Sequence, residues 1–102
     1  MLELRPNCER CDRDLPPAST EARICSYECT FCAACVEDVL FDVCPNCGGG
    51  FVPRPIRPRA EHRPGTGLGH DPPSSRRVHL RWDAADVAAL SARLRGVAPA
   101  DR

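Results

Sequence analysis

The residues of this chain best equipped for chemistry are its cysteines, and their spacing selects which chemistry. The eight cysteines form four close pairs: Cys8 with Cys11, Cys25 with Cys29, Cys32 with Cys35, and Cys44 with Cys47. Two or three intervening residues let one tight turn present both sulfurs to a single ion, and a structural zinc takes four such ligands in a tetrahedron. Disulfide frameworks scatter their cysteines, whereas zinc sites draw them in pairs. The pattern predicts two structural Zn²⁺ ions with every cysteine a ligand. Four thiolates also suit iron, and spacing alone does not separate the two metals.

Four pairs can share two ions in series, crossed or nested. Series pairing joins Cys8, Cys11, Cys25 and Cys29. Crossed pairing joins Cys8, Cys11, Cys32 and Cys35 in one site and Cys25, Cys29, Cys44 and Cys47 in the other. Nested pairing puts Cys25 through Cys35 on one ion. Local structure favours the crossed set. Cys32-Ala33-Ala34-Cys35 runs into Val36-Glu37-Asp38-Val39-Leu40, a short helix whose start stabilises anionic sulfur. Joined to a turn carrying Cys8 and Cys11, it makes a treble-clef site. Cys44-Pro45-Asn46-Cys47-Gly48 is a second turn, with Cys25 and Cys29 as its remaining partners.

The order C-x2-C, C-x3-C, C-x2-C, C-x2-C over residues 8 to 48, with Phe31 before Cys32 and Pro45 after Cys44, resembles the RING finger cross-brace. In many RING fingers a histidine stands where this chain has Cys29. A second resemblance covers Met1 to about Arg59. MLELRPNCERCDRDLPPAST, ICSYECTFCAACVE, VCPNCGG and RPIRP resemble a family of short bacterial proteins, the domain of unknown function numbered twelve seventy-two. The first resemblance implies architecture: a small metal-stabilised α+β fold, RING-like or treble-clef, with two interleaved four-cysteine sites. It does not carry ubiquitin-ligase activity across, because Asp12 follows Cys11 and Gly48 follows Cys47 where that family engages its conjugating enzyme. The second implies a bacterial cytosolic zinc protein and no activity.

The elements around the sites divide the chain. Residues 1–52 form the zinc module. Residues 53–77 hold Pro/Arg-rich sequence without apolar periodicity and are expected to be a disordered linker. Pro55 to Pro58 is a P-x-x-P element, and Arg54, Pro55, Arg57, Pro58 and Arg59 are candidate partner contacts. Over 78–96 the alternation of Val78, Leu80 and Trp82 predicts a short strand, followed by an amphipathic helix capped by Asp83 and ended near Gly96. Too short to be stable alone, this helix is expected to dock on the zinc module. Residues 97–102 are expected to be a flexible tail.

The 102-residue chain has 5% aromatic residues, too few for a large core, so metal must help hold it. Its zero formal charge hides a split. Residues 1–47 hold four arginines against nine acids, net −5, and residues 48–82 seven arginines against two acids, net +5. Eight thiolates and two zinc ions would take the first half to about −9. Met1–Asn7 has no apolar run and no stretch could span a bilayer, so a cytoplasmic location and no membrane partner are expected.

With every thiol ligating, the expected function is a non-catalytic module that binds another protein. Nucleic-acid binding by the arginines of 54–81 is the alternative; the acidic head and the lack of stacked aromatics count against it. A thiol or zinc redox sensor using Cys32 and Cys35 is the second alternative. His62, His70 and His79 form no triad with a nucleophile, so no enzymatic activity is expected.

Overall fold

The computed structural model describes residues 1–102. Strand β1 (Ala22–Ile24) pairs antiparallel with β2 (Thr30–Cys32) in the register Ala22 to Cys32, Arg23 to Phe31 and Ile24 to Thr30. The turn between them carries Cys25 and Cys29. Its Glu28 adopts a left-handed φ of 64°. Strand β3 (Val52–Pro53) pairs antiparallel on the other edge of β1. Prolines suit this edge, where an amide donor is dispensable.

From β2 the chain turns directly into α1 (Ala33–Cys35), which continues as a π-helical turn, Val36–Leu40. Phe41 and Asp42 end it with consecutive left-handed φ values of 49° and 60°. Two contacts hold this reversal: the amide of Phe51 donates to Asp42 Oδ1 at 2.9 Å, and the Arg95 guanidinium lies 4.3 Å from the Phe41 ring centre. The reversal aims the chain back at the second cysteine turn, Cys44–Cys47.

Only 16 of the 40 backbone hydrogen bonds lie in helices and strands, so turns and loops carry much of this fold. Of the twelve residues clustered in the core, half are cysteines: Cys8, Cys25, Cys29, Cys32, Cys35 and Cys44. Phe31, Leu15, Leu40 and Val36 fill the space between them, and Phe51 meets Phe31 edge to face at 5.5 Å.

Residues 53–77 take a different course from the expected solvated spacer. Arg54 turns inward and is 4% exposed. It donates to the carbonyl oxygens of Arg5, Leu15 and Pro16. Arg57 donates to those of Leu2 and Asp71, and the amide of Ser74 to that of Leu4. Composition predicted a spacer because it registers only apolar periodicity, whereas this segment is held by arginines on carbonyls.

Residues 78–82 form no strand, against the alternation of Val78, Leu80 and Trp82. They are fixed by single bonds, Leu80 N to Glu9 O at 2.8 Å and Val78 N to Asn7 Oδ1 at 3.2 Å. Helix α2 (Ala84–Leu94) follows, with Asp83 Oδ1 accepting from the amide of Asp86, as its capping sequence predicts. It docks on Val36–Leu40, burying Val87 and Ser91, and the Ser91 hydroxyl donates to Leu40 O at 3.0 Å. The tail is also tied down: a 3₁₀ turn, Pro99–Asp101, places Arg102 where it donates to Asp42 O and Gly48 O.

Candidate metal centre

The first cysteine turn is shaped by Asp12, whose left-handed φ of 64° lets its amide bond back to Cys8 O at 2.9 Å. That turn projects Cys8 and Cys11 towards the end of β2 and the start of α1, where Cys32 and Cys35 stand one helical turn apart. The four Sγ atoms all lie within 4.8 Å of one another. Cys8 Sγ is 3.8 Å from Cys35 Sγ, and Cys11 Sγ is 3.7 Å from Cys32 Sγ. A tetrahedron with zinc–sulfur bonds of about 2.3 Å has edges of about 3.8 Å. The donor set and its spacing therefore fit a tetrahedral ion, and all eight cysteines are free of disulfides.

The second group contains Cys25, Cys44 and Cys47. Backbone amides in both turns aim at sulfur, Tyr27 N at Cys25 Sγ (3.3 Å) and Gly49 N at Cys47 Sγ (3.4 Å). Gly48, at a φ of 79°, permits the second turn. Cys29 shifts the titration of Cys25 and Cys44 but lies outside the mutually close set of three. The first group is one complete set of the crossed combination, and the second is three of the four cysteines of its other set.

Within each group, burial and neighbouring thiols shift the titration of the cysteines in opposite directions. Hydrogen bonds from Cys29 and Cys44 pull Cys25 down to about 4, while Cys44 is pushed far up by giving those bonds to Cys25 and Cys29 and by burial. In the first group burial raises Cys35 to about 12 and also raises Cys8. Burial opposes the Cys11 thiolate too, but the Arg13 amide and bonds from Cys8, Cys32 and Cys35 outweigh it. A dication at the centre of either group would stabilise all its thiolates together. Arg10 supplies a second positive charge to the first group, its Nη1 lying 3.5 Å from Cys35 Sγ.

Sequence reasoning passed over two residues beside Cys8: Glu9, which ties the two cysteine turns together, and Asn7, which ties the first turn to Val78. Glu9 is 4% exposed. Its Oε1 accepts from Asn46 Nδ2 of the second cysteine turn, and its Oε2 accepts from Thr30 N and Arg5 Nη1. Burial raises its pKa, against the pull of Asn46 and Thr30. Asn7 is fully buried and acts as a piece of strand: its amide group donates to Val78 O and accepts from Val78 N. The available signal was position, because each flanks Cys8 and a polar residue there must find partners as the turn is buried.

The candidate partner residues divide. Arg54 is buried and Arg57 half-buried, while Pro55, Pro58 and Arg59 are exposed. The basic stretch is also largely occupied: Arg76 pairs with Glu3, and Arg77 with Asp12 and Asp14. His70 pairs with Glu61, and His79 lies 3.8 Å from Asp12. No histidine joins either cysteine group. No helix is long and apolar enough to cross a membrane.

Residues 1–57 match the model of a family described as "Protein of unknown function (DUF1272)". A relative from Rhizobium meliloti (strain 1021), "Uncharacterized protein R02474", is 67% identical over 58 residues, which are 57% of this chain and 69% of the relative. No solved structure matches the chain. The matched region contains both cysteine groups and ends at Arg57, before α2.

Proposed function

From the premise that the chain belongs to the DUF1272 family, we propose that it is a zinc-dependent, non-catalytic protein-interaction module. Two structural zinc ions would be held by eight cysteines in a RING-like, treble-clef arrangement. Cys8, Cys11, Cys32 and Cys35 would hold one ion, and Cys25, Cys29, Cys44 and Cys47 the other. The observation that carries this reading is the first group, whose 3.7 and 3.8 Å sulfur separations match the edge of a zinc–thiolate tetrahedron. When bound, zinc supplies cross-links between turns that the small apolar core cannot fix by itself.

A site with four protein ligands has no open position for water or substrate, so its function lies on the surfaces it holds in place. The pairing of Arg76 and Arg77 with carboxylates, and the inward turn of Arg54 and Arg57, favour this reading over nucleic-acid binding. Cysteines in such density that serve as zinc ligands rather than disulfides suit a reducing compartment, which supports a cytoplasmic location.

The decisive measurement is metal content per chain on protein purified without added metal. About two zinc ions per monomer are expected. Iron in their place would change the metal assignment, and near-zero metal with oxidised cysteines would overturn the reading.

A further inference from the structure

Every polar atom of Glu9 is engaged, and the residue is buried directly after Cys8. Its amide donates to Thr30 O at 3.0 Å, and its carbonyl oxygen accepts from Leu80 N at 2.8 Å. Oε2 accepts from Thr30 N at 3.1 Å and from Arg5 Nη1 at 3.3 Å, while Oε1 accepts from Asn46 Nδ2 at 3.0 Å. The carboxylate thus bridges two pieces of the second cysteine group: Thr30, next in the chain to Cys29, and Asn46, inside the Cys44–Cys47 turn. Glu9 and Thr30 are each anchored in the first group. Glu9 follows Cys8 in the chain, and Thr30 lies in β2, which ends at Cys32.

The side-chain bonds run in one direction. Trp82 Nε1 donates to Asn46 Oδ1 at 3.0 Å, which leaves Asn46 its Nδ2 to offer to Glu9. On the far side, Thr30 N and the Arg5 guanidinium can only donate. The group between them must accept on both sides, as a carboxylate does. A glutamine there would set its NH₂ against another donor.

We propose that Glu9 couples the two metal sites, so that closure of the first site around its ion raises the affinity of the second. The inference rests on the two-zinc reading above and assigns the coupling to one side chain. The first group has its four sulfurs mutually close, whereas the second has three and must still bring in Cys29. An ion at the first site holds Cys8 and Cys32, and through them Glu9 and Thr30. Glu9 then fixes the neighbour of Cys29 against the Cys44–Cys47 turn, so less ordering is left for the second ion to impose. Glu9 is a positioning residue here and ligates neither ion.

Trp82, the sole tryptophan, donates to the second turn, so its fluorescence reports on that site. The full reduced chain is titrated with chelator-buffered Zn²⁺ as wild type and as Glu9→Gln. Each is also prepared with the first site disabled by Cys11→Ser and Cys35→Ser. In the wild-type background, disabling the first site is expected to weaken zinc binding at the second about tenfold or more. In the Glu9→Gln background the loss is expected to be under about threefold. The same factor in both backgrounds overturns the proposal. Release from the intact chains decides the question even where the disabled chains fail to fold. Under excess chelator, Glu9→Gln is expected to lose its second ion, timed by Trp82, about tenfold faster than wild type. Its first ion, counted with a zinc-binding dye, is expected to leave within about twofold of the wild-type rate. Equal acceleration of both ions, or of neither, overturns the proposal. Two ions bound independently by wild type overturn the coupling alone, whereas a wild-type chain that takes up no zinc overturns the zinc reading and the coupling with it.

Discussion

Arg54 Nη2 donates to the carbonyl oxygen of Leu15 at 3.2 Å, joining residues 39 apart without any carboxylate near the guanidinium. Nη2 also reaches Pro16 O, Nη1 reaches Arg5 O, and Nε is buried without a partner. Burial alone lowers the pKa of this arginine, a sign that no anion compensates it. The charge is held by three carbonyl dipoles, of which those of Arg5 and Leu15 would otherwise lack a donor.

Truncating this side chain should be among the most damaging changes outside the cysteines. Arg54→Ala leaves the Arg5 and Leu15 carbonyls unsatisfied and a void where the guanidinium was, at about 3 kcal/mol. Arg54→Lys should recover only part of that, because an ammonium cannot present two donors in one plane. Thermal unfolding of the metal-loaded protein checks both. Equal midpoints for wild type and Arg54→Ala would exclude the clamp.

The two cysteine groups should respond differently to single substitutions. Cys44 belongs to the mutually close set of the second group, whereas Cys29 lies outside it. Cys44→Ser should reduce bound zinc from about two ions to about one, and Cys29→Ser should keep both with the second held more weakly. Native mass spectrometry counts the ions, and chelator titration ranks their release. Loss of zinc from Cys29→Ser equal to that from Cys44→Ser would mean that the four ligands of the second site contribute alike.

How much of this was readable from sequence depends on the length scale of the interaction. The cysteine groups and the Asp83 cap are local patterns, two to four residues across, and turn or helix geometry translates such patterns directly into space. Arg54 and Asn7 act over tens of residues through side-chain bonds to backbone, and no periodicity announces those. The same reason explains residues 78–82. Their alternation has the period of a strand, but their partners are the Asn7 side chain and the Glu9 carbonyl in a loop, so no ladder forms. The π-helical turn after Cys35 had no signal of its own, since its apolar spacing also fits an α-helix.

The cap and the buried hydroxyl of α2 should separate in size. Asp83 satisfies the amide of Asp86, and Asp83→Ala should cost about 1 kcal/mol. Ser91→Ala should cost less, about 0.5 kcal/mol, because Leu40 O keeps its bond from Val43 N when the hydroxyl is gone. Hydrogen exchange at residues 84–94 measures both. A larger loss for Ser91→Ala would mean that the hydroxyl, rather than the cap, holds the helix in place.

The reversal after the π-helical turn offers a test at a single strained position. Asp42 combines a left-handed φ of 60° with an Oδ1 that accepts from Phe51 N at 2.9 Å. Asn tolerates that φ and keeps an acceptor oxygen, so Asp42→Asn should be close to neutral. Asp42→Gly relieves the backbone but loses the acceptor, and the two effects should largely cancel. Asp42→Ala loses the acceptor and tolerates the φ poorly, so it should cost about 2 kcal/mol. The order Asn, Gly, Ala in falling thermal stability is the expected outcome. Because the reversal aims the chain at Cys44, the alanine variant should also release its second zinc to chelator faster than wild type. Equal stability of the alanine and asparagine variants would mean that neither the backbone angle nor the Phe51 bond matters to the turn.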